Sequence, residues 1–133
     1  MTESTQLPAT ILVAEDEPDQ LAMVCESLVD EGYHVLIATR GDEALRILDA
    51  TPVDLVILDV RMPGMEGGQV LRTIRQSHKV SGVGVIVVSA FATPGEMYGY
   101  RQRGADACLS KPFLFDELLA AIKGVLEAHP TRK

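Results

Sequence analysis

Five polar side chains that could carry out chemistry stand directly after short apolar runs spread over the whole chain. They are Glu15, Asp16, Asp59, Ser89 and Lys111. Three carboxylates that lie close together repel one another, which raises the pKa of at least one of them unless a cation compensates. Mg²⁺ is a suitable cation, because it prefers oxygen ligands and is typically held by one or two carboxylates together with phosphate oxygens. The set therefore predicts Mg²⁺-assisted phosphoryl transfer.

The residue types indicate how the work of such a transfer would be divided. Asp59 is the predicted nucleophile, so the product would be an acyl phosphate. Lys111 and Ser89 are predicted to hold phosphoryl oxygens while the group passes through its planar transition state. An acidic residue at a strand end is, taken alone, more often a solvated loop residue or a helix cap. The prediction therefore depends on the joint placement, chiefly of Asp59, Asp16 and Lys111.

The apolar runs alternate with longer amphipathic segments, a pattern typical of a parallel sheet covered by helices on both faces. The strands are expected at 10–14, 33–39, 53–58, 84–88 and 105–109, and the helices at 18–31, 41–50, around 70–74, from 93 onward and at 115–128. The glycine-rich segment 60–68 is expected to be a loop. In such sheets ligands bind beyond the carboxyl ends of the strands, where all five polar residues are expected.

Length and composition are those of one globular domain. The 133 residues are 47% hydrophobic and 23% charged, which suits a single ordinary core. We expect a folded domain at 10–128, a flexible N-terminal tail at 1–9 and a C-terminal tail at 129–133. The formal net charge of −7 opposes binding to nucleic acid or to anionic membranes. Because the chain has no apolar run of membrane-spanning length and no secretory signal at its start, a cytoplasmic location is expected.

The cysteines and histidines suggest no competing site. Cys25 and Cys108 lie in apolar segments without metal-ligand spacing, and both are expected to be buried thiols. His34, His78 and His129 fall in a strand start, a connecting loop and the tail, away from the reactive edge. A Mg²⁺-dependent phosphatase or other small hydrolase would need a general base and a substrate pocket, so this class is weakly supported.

From Ile11 to about Leu126 the chain resembles the receiver domains of two-component response regulators. The segments that carry the resemblance are ILVAEDE at 11–17, LDVRMPGMEG at 58–67, VSA at 88–90, GAD at 104–106 and SKPF at 110–113. The resemblance implies an α/β, flavodoxin-like (βα)5 three-layer sandwich with a five-stranded parallel sheet of order 2-1-3-4-5. It also implies a cis peptide bond between Lys111 and Pro112.

The resemblance assigns individual roles to the site residues. Asp16, Asp59 and the backbone carbonyl of Arg61 would bind Mg²⁺ directly, and Glu15 would act through a water molecule. Glu15 stands where the family more often has Asp, and a water-mediated ligand tolerates the extra methylene.

Switching is implied in the same way. Phosphorylation would draw Ser89 and Lys111 toward the phosphoryl group and shift the fourth helix and the fifth strand. Ser89, Phe91, Cys108 and Lys111 form the expected switch region. Cys108 occupies a position where the family usually has Tyr or Phe, whose ring moves inward on activation, so the sequence leaves open how the switch is read.

The implied function is that of a signalling domain. It would accept a phosphoryl group from a sensor histidine kinase or a histidine phosphotransfer protein, and it would catalyse only its own phosphorylation and dephosphorylation. It would then bind an output protein or domain that the sequence does not identify, without direct contact with nucleic acid or membrane. Receivers often dimerise through the fourth helix, fifth strand and fifth helix, and a weak homodimer is left open. The alternative is a receiver-like module that binds partners independently of phosphorylation; the complete site argues against it, and Cys108 argues mildly for it.

Overall fold

The computed structural model describes residues 8–77, 82–90 and 92–129. In this part of the chain, five strands alternate with five helices, as predicted. The strands are β1 (Thr10–Ala14), β2 (His34–Ala38), β3 (Leu55–Asp59), β4 (Gly84–Ala90) and β5 (Ala107–Lys111). The helices are α1 (Pro18–Asp30), α2 (Gly41–Ala50), α3 (Gly67–Gln76), α4 (Pro94–Gln102) and α5 (Phe115–Ala128). Over the described residues, no helix combines the length and the apolar character that crossing a bilayer requires.

The strands form one parallel sheet with the order β2-β1-β3-β4-β5. This order confirms the expected flavodoxin-like α/β sandwich. Along the chain, β2 is added on one side of β1, and β3, β4 and β5 are then added in turn on the other side. The direction in which strands are added therefore reverses between β1 and β3. In open α/β sheets, ligands bind in the crevice at the carboxyl ends of the strands beside such a reversal.

The central strands β1, β3 and β4 are buried on both faces, which explains why they read as nearly continuous apolar runs. On one face Leu12 and Val85 belong to a core that α2 and α3 cover. On the other face Ile11 and Ile86 belong to a core that α1 and α5 cover. Because successive side chains of a strand point to opposite faces, neighbouring residues divide between the two cores. The result is a three-layer structure of helices, sheet and helices.

The predicted ends of three strands need correction. Asp59, Ser89 and Lys111 are expected to follow their strands, but each lies inside one, near or at its last residue. The parallel ladder explains the extension, because Asp59 pairs with Val88 and Lys111 pairs with Ala90. The three side chains predicted to form the site therefore start from backbone that the sheet holds in place.

The start of β5 is later than predicted. Residues 105 and 106 are expected in the strand, which instead begins at Ala107. The backbone N–H of Asp106 donates to the Val85 carbonyl at 2.8 Å, and the Asp106 carboxylate accepts the N–H of Val85 at 2.8 Å. This carboxylate replaces a backbone acceptor, so regular pairing begins only beyond Asp106.

Helix α4 is held by its cap more than by burial. Thr93 Oγ1 accepts the N–H of Glu96 at 3.1 Å, and the Glu96 carboxylate accepts the N–H of Thr93 at 2.9 Å, which is the predicted capping box. Among the described residues of α4, none is fully buried, and Met97 and Tyr100 are only partly covered by the core. Such a helix has little apolar contact to lose if it moves.

Candidate functional site

Two of the predicted carboxylates are buried at the carboxyl edge of the sheet, where the chain direction reverses. Asp59 ends β3 and Glu15 directly follows β1, and each is only 7% exposed. The N–H of Glu15 donates to the Ala38 carbonyl at 3.0 Å, which extends the pairing of β1 with β2. Asp16, the next residue, is exposed. The three carboxylates therefore meet at one edge, and one of them faces solvent.

Lys111 links the two buried carboxylates. Its ammonium donates to Asp59 Oδ2 at 2.6 Å and to Glu15 Oε1 at 3.0 Å. The Lys111 side chain is 17% exposed, so both ion pairs are largely shielded from water. The Lys111–Pro112 peptide bond is cis, as the resemblance implies. Hydrogen bonds between charged groups are roughly twice as strong as those between neutral groups, so Lys111 binds β5 to β1 and β3 at this edge.

Each buried carboxylate also accepts a backbone N–H. The N–H of Arg61 donates to Asp59 Oδ1 at 2.8 Å, and the N–H of Glu17 donates to Glu15 Oε2 at 3.1 Å. Both oxygens of each carboxylate therefore have a donor, which defines the orientation of the side chain. Glu17 itself caps α1, because its Oε1 accepts the N–H of Gln20 at 2.8 Å. The acidic residues that follow β1 thus divide between the site and a helix cap.

Burial and mutual contacts shift the ionisation of this cluster. Burial, followed by the hydrogen-bonding interaction with Asp59, raises the pKa of Glu15 above its ordinary value of 4.5, against the opposing effect of Lys111. Burial opposes the charge on Lys111, but hydrogen bonds to Asp59 and Glu15 outweigh it and raise the pKa of Lys111 above 10.5. The ammonium is therefore charged at neutral pH. At this edge one ammonium faces three carboxyl groups, so the acidic groups outnumber the base.

The donor set fits a hard divalent cation. Glu15, Asp16 and Asp59 each offer a carboxylate oxygen, and these oxygens all lie within 4.8 Å of one another. Carboxylate oxygens, with solvent available on the side of Asp16, are the ligands that Mg²⁺ prefers. Because three carboxyl groups face a single ammonium, a divalent cation at this place would offset their mutual repulsion.

The raised pKa of Glu15 gives a testable dependence of stability on pH. A carboxyl group with a raised pKa in the folded state contributes stability below its unfolded pKa, and this contribution is lost as pH rises through the folded pKa. With Mg²⁺ chelated, we therefore expect the free energy of unfolding to fall as pH rises from about 4.5 through the raised value. Urea titrations at several pH values measure this fall. Glu15→Gln should flatten the profile in this window, and an unchanged profile would contradict the assignment.

The predicted switch residues lie in different surroundings. The Ser89 hydroxyl is directed to the Ala90 carbonyl, at a long 3.5 Å, and not into the carboxylate cluster. Cys108 is buried in the core on the α4 side of the sheet, and burial raises the pKa of its thiol. Phe91 lies outside the described residues. Of the three switch residues that the structure describes, only Lys111 hydrogen-bonds to the buried carboxylates.

The histidines that the structure describes lie away from the carboxylates, as predicted. His34 is exposed at the start of β2. His129 lies at the opposite edge, where its Nε2 is 2.6 Å from Asp106 Oδ1 and its Nδ1 is 3.0 Å from the Gly82 carbonyl oxygen. His129 is therefore attached to the folded domain, although the sequence places it in the tail. His78 lies outside the described residues.

The direct ion pair between Glu15 and Lys111 is not anticipated from the sequence. From the sequence, Glu15 is predicted to act on Mg²⁺ only through a water molecule. The one available signal is the extra methylene of Glu relative to Asp, which lengthens the reach of the carboxylate. A hollow beside the cluster is lined in part by Phe113, the last residue of the SKPF segment, and by Gln20 and Val24, which belong to no chemical motif of the sequence.

Comparison with known proteins agrees with this geometry. The family model of the response regulator receiver domain matches residues 11–123. The transcriptional regulatory protein GlrR of Escherichia coli K12 is 37% identical over 120 residues, which are 90% of this chain and 27% of GlrR. The first curated relatives are matched over 27% to 48% of their own length, so this chain corresponds to one part of them.

Solved structures share the fold. A response regulator receiver domain protein (CheY-like) from Methanospirillum hungatei is 29% identical with a TM-score of 0.84, over 92% of this chain and 96% of that chain. The receiver domain of a sensor histidine kinase from Pseudomonas aeruginosa is 28% identical with a TM-score of 0.82, over 90% and 98% respectively, and has a magnesium ion coordinated in its active-site cleft. The matched residues, the strand order and the acidic edge together show that this chain belongs to the response regulator receiver domain family of two-component systems.

Proposed function

We propose that residues 10–128 form a receiver that accepts a phosphoryl group on Asp59 with Mg²⁺ as cofactor. The donor is the phosphohistidine of a sensor histidine kinase or of a histidine phosphotransfer protein. One observation carries the proposal: the Lys111 ammonium lies 2.6 Å from Asp59 Oδ2, within a cluster of three carboxylates whose oxygens lie within 4.8 Å of one another. This arrangement combines a nucleophile, a fixed cation and ligands for a divalent metal.

The transfer forms one bond and breaks another. A carboxylate oxygen of Asp59 bonds to phosphorus, while the bond between phosphorus and the donor imidazole nitrogen breaks and its electron pair stays on that nitrogen. Lys111 and Ser89 hold phosphoryl oxygens, and the Arg61 N–H keeps the Asp59 carboxylate oriented through the 2.8 Å hydrogen bond.

Asp16, Asp59 and the backbone carbonyl of Arg61 would hold the metal directly, and Glu15 would act through water. When bound, Mg²⁺ neutralises charge on the transferring group and orients its oxygens. Lys111 already contacts both buried carboxylates, so a bound Mg²⁺ would compete with the ammonium for their oxygens.

Phosphorylation changes the surface that partners contact. Ser89 and Lys111 move toward the phosphoryl group, and β4, β5 and α4 follow, with Phe91 and Cys108 in the switch region. The slight burial of α4 supports a helix that can take another position. The partner that reads this change is an output protein or domain. We further propose a cytoplasmic protein that binds neither nucleic acid nor membrane directly, in keeping with its charge of −7, and that catalyses its own dephosphorylation.

The decisive test is the intact mass of the protein after incubation with acetyl phosphate, with Mg²⁺ present or chelated. We expect a gain of one phosphoryl group that requires Mg²⁺. Natively folded protein that binds Mg²⁺ but gains no phosphoryl group from acetyl phosphate or from a phosphohistidine donor would contradict the proposal.

Such a negative result would favour the second candidate, a receiver-like module that binds partners independently of phosphorylation. The observation in its favour is Cys108. This residue is a buried thiol at the position where the family usually has the aromatic ring that moves on activation. For this candidate, partner binding is the same with and without the phosphoryl group.

A further inference from the structure

The loop that follows β3 (residues 60–66, here the phosphoacceptor loop) is held at two points. At its base, the N–H of Val60 donates to the Val88 carbonyl at 3.1 Å. At its tip, the Pro63 carbonyl accepts the N–H of Gly41 at 3.1 Å, and Gly41 is the first residue of α2. The sheet therefore holds the base of the loop, and α2 holds its tip.

Gly41 has no room for a side chain. A Cβ placed on it would overlap the carbonyl oxygen of Met65 and would lie 2.8 Å from the Met65 Cβ. The overlapping oxygen belongs to the backbone, which cannot swing aside as the end of a flexible side chain could. Gly41 is buried, and the next turns of α2 anchor Ala44 and Leu48 in the core. Because α2 is fixed in this way, the overlap would be relieved by displacement of the loop.

The loop also has a glycine, Gly64, that packs closely against residues at the start of α2. Gly64 has φ of +87°, and a Cβ on it would lie 2.8 Å from both Arg40 Nη2 and Asp42 Oδ1. Arg40 forms a fork on Asp42, with Nε to Oδ1 at 3.0 Å and Nη2 to Oδ2 at 3.2 Å. Both side chains are half exposed, so the ion pair itself stabilises little. Its effect is to keep polar atoms packed against the tip of the loop.

We propose that Gly41 is a positioning residue for the acidic site. By letting α2 touch Pro63 and Met65, it fixes the Arg61 peptide, whose N–H donates to Asp59 at 2.8 Å. The proposal rests on the proposed function in one respect, the role of the Arg61 carbonyl as a Mg²⁺ ligand. A loop tip displaced by a methyl group would turn the peptides between Pro63 and the sheet, and with them this carbonyl.

The test compares Gly41→Ala with the parent chain by isothermal titration with Mg²⁺. We expect the Kd for Mg²⁺ to rise about 10- to 100-fold, the range found when groups that orient metal ligands are removed. With acetyl phosphate as donor, the half-saturating Mg²⁺ concentration should rise by the same factor, while the rate at saturating Mg²⁺ should change less. Partial unfolding would also raise the apparent Kd, so urea unfolding must first show that Gly41→Ala is fully folded under the assay conditions; a protein that is only less stable but still folded then binds Mg²⁺ as the parent does.

Gly124→Ala is the matched control. Gly124 lies within α5, and a Cβ on it would have no atom within 4 Å, so its Mg²⁺ affinity should equal that of the parent. A Gly41→Ala protein that is folded and binds Mg²⁺ within twofold of the parent would overturn the proposal. If Gly41→Ala does not fold, titration of the Arg40→Ala protein with Mg²⁺ tests the proposal instead. We expect its Kd for Mg²⁺ to rise about two- to fivefold. An unchanged Kd in that variant would then overturn the proposal.

A metal-free measurement separates this proposal from the proposed function. In the ¹H–¹⁵N spectrum without Mg²⁺, the Arg61 amide should shift upfield in Gly41→Ala, because its hydrogen bond to Asp59 lengthens, and it should not shift in Gly124→Ala. A parent chain that takes no phosphoryl group, with the Arg61 amide shifted only in Gly41→Ala, would refute the proposed function alone. A phosphorylated parent with an unmoved Arg61 amide in Gly41→Ala would refute the positioning role alone.

Discussion

Asp59→Asn is expected to abolish the Mg²⁺-dependent gain of a phosphoryl group from acetyl phosphate. Asparagine has nearly the same shape, and its carbonyl oxygen can still accept the N–H of Arg61, which now donates to Asp59 Oδ1 at 2.8 Å. A neutral amide, however, is not a nucleophile toward phosphorus at neutral pH. Intact mass after incubation should therefore remain that of the unmodified chain, although the fold is retained in the circular dichroism spectrum.

Two further variants make the Asp59 result specific. Asp16→Asn removes a proposed metal ligand but leaves the nucleophile, so phosphorylation should be slower and should not disappear. Asp30→Asn changes an exposed carboxylate at the far end of α1, and phosphorylation should match that of the parent. Stable phosphorylation of the Asp59→Asn protein would mean that another residue is the acceptor, and the site assignment would be wrong.

Lys111→Met is expected to have two effects of opposite sign. Methionine keeps most of the apolar stem but removes the ammonium that now bonds Asp59 at 2.6 Å and Glu15 at 3.0 Å. Without the donor, phosphorylation by acetyl phosphate should slow by about 10²- to 10³-fold, the usual effect of losing one group that stabilises transition-state charge. Mg²⁺ should nevertheless bind more tightly, because the ammonium no longer competes for the same carboxylate oxygens.

The same substitution should destabilise the metal-free protein by up to about 3 kcal/mol, because two largely buried carboxylates lose their shared partner. Urea unfolding with Mg²⁺ chelated measures this loss, and added Mg²⁺ should recover more stability than it gives the parent. Lys123→Met, at an exposed position of α5, is the control for removal of a positive charge. Weaker Mg²⁺ binding in Lys111→Met would show that the ammonium supports the metal site instead of competing with it.

The fold was predictable because its pattern repeats. Five apolar runs alternate with amphipathic segments, and the central strands β1, β3 and β4 are buried on both faces, so these three are apolar over nearly their whole length. The ends of the strands were less predictable. Asp59 and Lys111 are polar, yet they pair with Val88 and Ala90 in the ladder, and composition alone cannot show that a polar residue continues a strand.

The sequence predicts which residues form the site better than it predicts the contacts between them. Carboxyl ends of parallel strands meet at one edge, so Glu15, Asp59 and Lys111 could be grouped without coordinates. Their hydrogen bonds depend on side-chain rotamers, which leave no periodic trace in a sequence, and the ion pair of Glu15 with Lys111 is one example. The contact of Gly41 with the phosphoacceptor loop is another, because in the sequence this glycine reads only as the start of a helix.

The reach of Lys111 along the chain bears on when the chemistry becomes available during biosynthesis. Its ammonium joins partners that are 96 and 52 residues away in sequence, so the complete site requires the first, third and fifth strands at once. Contacts of such long sequence separation form late, after the entropy of closing large loops has been overcome. A nascent chain whose fifth strand is still inside the ribosome exposes Asp59 without its lysine. If Asp59 is the phosphoacceptor, as proposed, such a chain accepts a phosphoryl group far more slowly than a finished one, so fast phosphorylation becomes available only when the fifth strand is in place.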